Sequence, residues 1–218
     1  MKNTQWIAVT GLDGSGKTGL VSRIVEWLES NNKKVYRDRL PHDQYLTKKL
    51  LNKSNDRYTD RMLFALDNRL FGTKLRKIKE SENYDFVVTQ RCFLDSFVHG
   101  AVQGFSYEWI EELNQISDLP RTDILIHLVA DAPIAYERIC DDPDADKFEY
   151  PEYIEKQELE TRKAYVRVCQ GKEPALHSFK KSKNIFVDTT RLTEEEVFQI
   201  VLEQLEHLLN PDSLEKEP

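Results

Sequence analysis

Cysteine is scarce in this chain: Cys92, Cys140 and Cys169 are the only three in 218 residues, and none has a C-x-x-C partner. An odd, scattered set excludes a disulfide framework and offers no zinc site. Long apolar runs are missing too, and no leader-like segment precedes the first strand-like stretch, so a soluble cytoplasmic setting with no membrane attachment is expected. Basic charge is in deficit, with 31 Lys and Arg against 38 Asp and Glu, a formal charge of −7. That balance argues against a protein that coats nucleic-acid phosphates, and no nucleic-acid partner is expected. There is no internal repeat, no low-complexity tract and no linker that divides the chain. Glycine is also sparse, at eight residues, yet four of the eight fall between positions 11 and 19.

Those glycines belong to Gly11-Leu12-Asp13-Gly14-Ser15-Gly16-Lys17-Thr18, which matches G-x-x-x-x-G-K-[ST] at every fixed position. The flanks suit a phosphate cradle. Trp6 to Thr10 reads as a buried strand, and Leu20 to Leu28 as an amphipathic helix. Backbone amides freed by the glycines turn toward a polyphosphate, which then lies on the positive end of that helix. Lys17 is expected to reach the outer phosphates, and the Thr18 hydroxyl to ligate magnesium. The motif therefore implies a nucleoside triphosphate with Mg2+ as donor, held by Gly11, Asp13, Gly14, Ser15, Gly16, Lys17 and Thr18.

Downstream, apolar β runs alternate with helical stretches. Lys33–Arg37, Phe86–Thr89, Ile124–Val129 and Asn184–Val187 read as further strands. A helix over about Tyr58–Lys79 carries Leu63, Leu66 and Leu70 on an expected core stripe, and another spans about Glu194–Leu209. This pattern predicts an α/β P-loop kinase fold, a five-stranded parallel sheet with helices on both faces and a short lid. One domain is expected over 1–210, with the lid at about 140–149 and a polar tail at 211–218. A guanine-specifying Asn-Lys-x-Asp is not found; Asn52-Lys53-Ser54-Asn55 lacks the Asp.

Several ordered segments resemble the thymidylate kinase family, from about residue 5 to 207. Besides the loop at 11–18, these are Met62-Leu-Phe-Ala-Leu-Asp67, Gln90-Arg91-Cys92 with the trailing Ser96, Ala135-Tyr-Glu-Arg138-Ile139, Asp146-Lys147-Phe148-Glu149, Arg162-Lys-Ala-Tyr165 and Val187-Asp188. The resemblance implies transfer of the γ-phosphate of ATP to a nucleoside monophosphate, a small-molecule acceptor of the thymidylate type. It also implies a homodimer packed through helices; Phe97, Val98 and Trp109 either serve that face or fill the core. Phosphoryl transfer is mostly positioning and charge neutralisation. Arg91, at a strand end, is placed to bridge donor and acceptor phosphates with its planar fork. Arg138 stacks on the donor base as the resemblance implies, and Lys147 stands where the family places Arg.

The acceptor half departs from the family pattern. Phe64 and Asn68 share a helix face as i and i+4; Phe64 stacks on a base or packs in the core, and Asn68 occupies a family Arg position. Gln90 replaces an acidic residue that organises magnesium and water. His99 aligns with a Tyr that lies against the acceptor sugar, or is a surface histidine. No Arg follows Pro41, so Arg39 or Arg37 compensates. The stretch 140–146 is acidic, and its aspartates are read as facing solvent. Two other readings stay open: a kinase for an unphosphorylated hydroxyl acceptor, with Asp13, Asp43 or Asp67 as the needed carboxylate, and a nucleotide-binding module without catalysis.

Overall fold

The computed structural model describes residues 4–43, 49–141 and 147–209. Five strands, β1 (Gln5–Gly11), β2 (Val35–Arg39), β3 (Phe86–Gln90), β4 (Ile124–Val129) and β5 (Lys183–Asp188), form one parallel sheet in the order β2-β3-β1-β4-β5. The helices are α1 (Lys17–Ser30), α2 (Arg57–Glu80), α3 (Leu94–Val102), α4 (Tyr107–Asn114), α5 (Ala132–Glu137), α6 (Pro151–Gln170) and α7 (Glu194–Leu209). The expected sheet and its two helical layers are therefore what the chain forms. β2 begins two residues later than expected, because its ladder to β3 runs from Val35↔Phe86 to Arg39↔Gln90. The centre of the expected lid, 142–146, and the tail at 211–218 lie outside the described residues.

Period-two alternation divides β1 between two cores. Ile7 and Val9 pack with Leu20, Ile24 and Leu28 of α1 and with Val201 and Leu205 of α7. Trp6 and Ala8 face the other way, onto Phe71 and Leu75 of α2 and Phe93, Leu94 and Phe97 around α3. Burying both faces is why the inner strands read as continuous apolar runs. Trp6 anchors the second core, edge-on to Phe71 and Phe93 at 5.8 and 5.3 Å, and its indole N–H donates to Thr89 Oγ1 at 2.9 Å. Phe97 and Val98 are buried in this core, while Trp109 is only half-buried against it.

The expected leucine stripe of α2 is corrected by the structure. Leu66 and Leu70 are exposed, at 49% and 44%, and Leu63 is only partly covered. The helix instead buries Asp60, Arg61, Ala65, Asp67, Asn68, Phe71, Gly72, Leu75 and Ile78. Its N-terminal half thus turns polar groups inward, and an apolar row of Tyr58, Met62, Leu66 and Leu70, four residues apart, outward. Asp56 caps the helix, accepting from the Tyr58 and Thr59 amides at 3.3 and 2.9 Å.

Two buried histidines couple this fold to pH. Burial lowers His127, in β4 beside Asn184, to about 4, and His99, in α3, to about 3. Unfolded histidine titrates near 6.5, so below that pH the unfolded chain binds protons that the native chain refuses. Their stabilisation is complete above about pH 6.5 and is lost progressively as pH falls toward 4 and 3. Between pH 7 and 5 each is expected to cost about 2 kcal/mol. His127→Gln should roughly halve the fall in melting temperature over that interval. An equal melting temperature at pH 7 and 5 in the native chain would overturn this account.

Candidate active site

Parallel register brings three carboxyl strand ends together. Val9 pairs with Gln90 and Gln90 with Arg39, while the Arg91 amide donates to Val9 O at 2.7 Å and the Leu40 amide to Gln90 O at 2.9 Å. The glycine-rich loop after β1, the Gln90-Arg91 turn after β3 and the Leu40-Pro41 turn after β2 consequently border one cleft. This is the crevice outside the carboxyl ends of an open α/β sheet, where such folds bind ligands.

The loop needs glycine for steric reasons. Gly11, Gly14 and Gly16 all have positive φ, at 136, 78 and 89°. A Cβ on Gly14 would lie 2.1 Å from the Ala135 carbonyl oxygen, so this part of the loop lies against α5. Gly16 caps α1, which starts at Lys17. Lys17 is buried and donates to Gly11 O at 3.1 Å, Leu12 O at 2.7 Å and Asp13 Oδ1 at 3.1 Å. Burial lowers its pKa, against the opposing pull of Asp13.

Asp13 is the hub of the site. It accepts from Lys17, Arg91 and, at 3.2 Å, the amide of Gln157 in α6. Burial alone would raise its pKa, but Arg91 and Lys17 together outweigh it and hold the carboxyl well below the usual range. Arg91 sits in the left-handed region, φ 67°, which carries its guanidinium over the cleft to Asp13. The Thr18 hydroxyl donates to Gln90 Oε1 at 3.2 Å. Arg138 spans the far wall, donating to Gly14 O at 3.2 Å and Thr189 O at 3.0 Å.

The acceptor candidates line a second pocket that shares Arg91, Phe64, Leu40 and Pro41 with the first. Asn68 is buried and donates to Ser96 Oγ at 2.7 Å and Asn114 Oδ1 at 2.8 Å. His99 is buried rather than at the surface, with Nδ1 2.9 Å from the Tyr153 hydroxyl. Phe64 is half-buried, tilted against Phe148 at 6.5 Å. Asp67 accepts from the His42 and Asp43 amides at 2.6 and 2.8 Å and so fixes the turn after β2. Arg39 lines the cleft from the exposed end of β2; Arg37 points away, to Ser22 on α1 at 2.9 Å.

Lys147 is not brought to the phosphate loop. Its ammonium donates to Asp60 Oδ1 at 2.7 Å and Ser54 O at 2.8 Å, at the start of α2. Sequence reasoning missed Asp95, Gln157 and Arg61. Asp95 accepts from Thr10 Oγ1 at 2.7 Å and the Cys92 amide at 2.9 Å, and burial raises its pKa. The signal for Asp95 was available, since it lies four residues past Arg91. Gln157 and Arg61 sit mid-helix with no local pattern to mark them.

The family model described as thymidylate kinase matches residues 9–200, nearly nine-tenths of the chain. The chain belongs to the thymidylate kinase family. Among similar proteins, the probable thymidylate kinase 1 of Saccharolobus solfataricus is 32% identical over 181 residues, covering 82% of this chain and 90% of that protein. The probable thymidylate kinase of Methanothermobacter thermautotrophicus is 34% identical over 157 residues, 68% of this chain and 75% of that one. That of Pyrobaculum aerophilum is 26% identical over 193 residues, 86% and 95% respectively. No helix among the described residues is long and apolar enough to cross a membrane.

Proposed function

We propose that this thymidylate kinase family member transfers the γ-phosphate of ATP to a nucleoside monophosphate of the thymidylate type. The observation that carries the choice of a phosphorylated acceptor is the state of the carboxylates. Asp13 is saturated by Lys17, Arg91 and Gln157 and held well below the usual range, which makes it a poor base. Asp67 is committed to two backbone amides. A neutral hydroxyl acceptor needs a base near its proton. A monophosphate is already ionised, with a second pKa near 6, and needs cations instead. Arg91, between the two pockets, supplies the cation that bridges donor and acceptor.

Lys17 and the loop amides support the donor phosphates in this reading, and Arg138 lies where it can cover the donor base. The Thr18 hydroxyl and Gln90 Oε1, 3.2 Å apart beside the loop, are neutral oxygen donors of the kind Mg2+ accepts alongside phosphate and water. Mg2+ held there would supply charge neutralisation for the phosphates. Among the described residues no group of three or more His, Cys, Asp or Glu gathers to hold a metal ion. Arg39, Phe64, Asn68, Ser96 and His99 form the acceptor side. Lys147 acts from the lid segment through α2 rather than on the phosphates. The chain works as one kinase domain over 1–210, with a lid at about 140–149 and a polar tail, and as a homodimer through the outward row Tyr58, Met62, Leu66 and Leu70.

Purified protein with ATP and Mg2+ should convert thymidylate to its diphosphate and leave thymidine unphosphorylated. Phosphorylation of thymidine, with no monophosphate in a broad panel converted, would favour the hydroxyl-acceptor kinase instead. Slow ATP hydrolysis that no acceptor stimulates would favour the module without catalysis.

A further inference from the structure

Arg61, in the second turn of α2, is 2% exposed and lines the acceptor pocket. Its Nε and Nη2 have no hydrogen-bond partner among the described residues. These two atoms form one edge of the guanidinium, the fork whose N–H bonds point the same way. The neighbouring carboxylate does not satisfy them. Asp60 spends Oδ1 on Lys147 at 2.7 Å and Oδ2 on Gln103 at 3.3 Å. Burial lowers the Arg61 pKa, as expected for a cation short of compensation. A buried guanidinium edge left without acceptors is costly, and native structures seldom keep one without a use.

The surroundings identify that use. Arg61, Phe64 and Asn68 lie at i, i+3 and i+7 on one face of α2, and the Arg61 guanidinium carbon is 4.5 Å from the centre of the Phe64 ring. The amide of Asn68 has a determined sense. Asn114 Nδ2 donates to Ile110 O at 2.8 Å, so Asn114 turns Oδ1 toward Asn68. Asn68 must then spend both N–H bonds, on Asn114 and on Ser96, and it offers only Oδ1 to a ligand. The pocket thus presents a donor fork, an aromatic ring and an acceptor along one helix face.

We propose that Arg61 is a specificity-determining residue of the acceptor site. Its fork holds a ring carbonyl of a pyrimidine base stacked at Phe64, while Asn68 Oδ1 accepts the adjacent ring N–H. Thymine and uracil carry that carbonyl and N–H side by side; cytosine lacks the ring N–H. The assignment rests on the proposed acceptor class and adds the residue that reads its base. Arg91, the cation shared with the donor cleft, is assigned to the phosphate end, which leaves the Arg61 fork for the base.

Calorimetric titration of Arg61→Met and Arg61→Lys with thymidylate, thymidine and a non-hydrolysable ATP analogue tests it. Arg61→Met should weaken thymidylate and thymidine alike, by about 10- to 100-fold, with affinity for the ATP analogue within twofold of native. Arg61→Lys, which keeps the charge and loses the fork, should lose nearly as much. The native chain should bind N3-methylthymidylate far more weakly than thymidylate. Unchanged thymidylate affinity in Arg61→Met overturns the assignment, as does a loss seen with thymidylate and absent with thymidine, because the fork would then hold phosphate. A native chain that binds no nucleoside monophosphate overturns the proposed function itself, a result separable from the variants.

Discussion

Replacing Lys17 by methionine should lower kcat by about three orders of magnitude or more, on the scale of removing a main phosphate-neutralising group. Methionine nearly matches the length of the buried stem, so what is lost is the charge and its three hydrogen bonds. The ammonium now ties Gly11 O, Leu12 O and Asp13 together at the mouth of the loop. Its removal does not orphan Asp13, which keeps Arg91 and Gln157. The variant is therefore expected to fold, with a melting temperature within a few degrees of native. Turnover measured at saturating ATP, Mg2+ and thymidylate checks the effect. A kcat within tenfold of native would remove Lys17 from the chemistry and leave it as a brace for the loop.

The second large effect is steric. Gly11→Ala is expected to cost at least about 3 kcal/mol, placing it among the severe single substitutions. A Cβ there would stand 1.8 Å from the Leu128 carbonyl oxygen and 2.9 Å from the Leu128 nitrogen. Neither atom can yield, because Gly11 pairs with Leu128 in the β1–β4 ladder and the Leu12 amide donates to the same carbonyl at 3.2 Å. For a chain of this size that corresponds to a fall in melting temperature of about 6–12 °C. Gly16→Ala is the matched control: its φ of 89° strains alanine, but nothing lies within 4 Å of the added carbon. Strain alone costs about 1–2 kcal/mol. If thermal unfolding ranked the two substitutions equally, the clash would not be what demands glycine at 11.

These positions also show why the sequence was legible where it was. The donor loop is local: its glycines, lysine and threonine sit in consecutive positions, so spacing alone carried the chemistry. The strands β1, β3 and β4 could be read because burial on both faces leaves few polar residues in them. α2 could not be read the same way. Its leucines suggested a core stripe, yet Leu66 and Leu70 face outward. The inward face carries Arg61, Asp67 and Asn68, whose burial makes sense only once α3 and the β2 turn supply partners and a pocket. Hydrophobic periodicity cannot anticipate a helix whose buried side is a binding site. His99 and Lys147 make the same point. One was expected at the surface or against the acceptor sugar and is buried beside Tyr153 in the acceptor pocket; the other stands where the family places Arg and pairs with Asp60.

The two-sided character of α2 has a thermodynamic corollary. Arg61, Phe64 and Asn68 face the acceptor pocket, while Tyr58, Met62, Leu66 and Leu70 occupy the opposite side of the same rigid rod. Whatever grips the outer row restrains the inner one, and a base held at the inner row restrains the outer. Linkage makes such effects reciprocal: any factor by which self-association changes acceptor affinity is the factor by which acceptor changes self-association. The acceptor's binding isotherm should therefore depend on protein concentration wherever the helix carries that coupling.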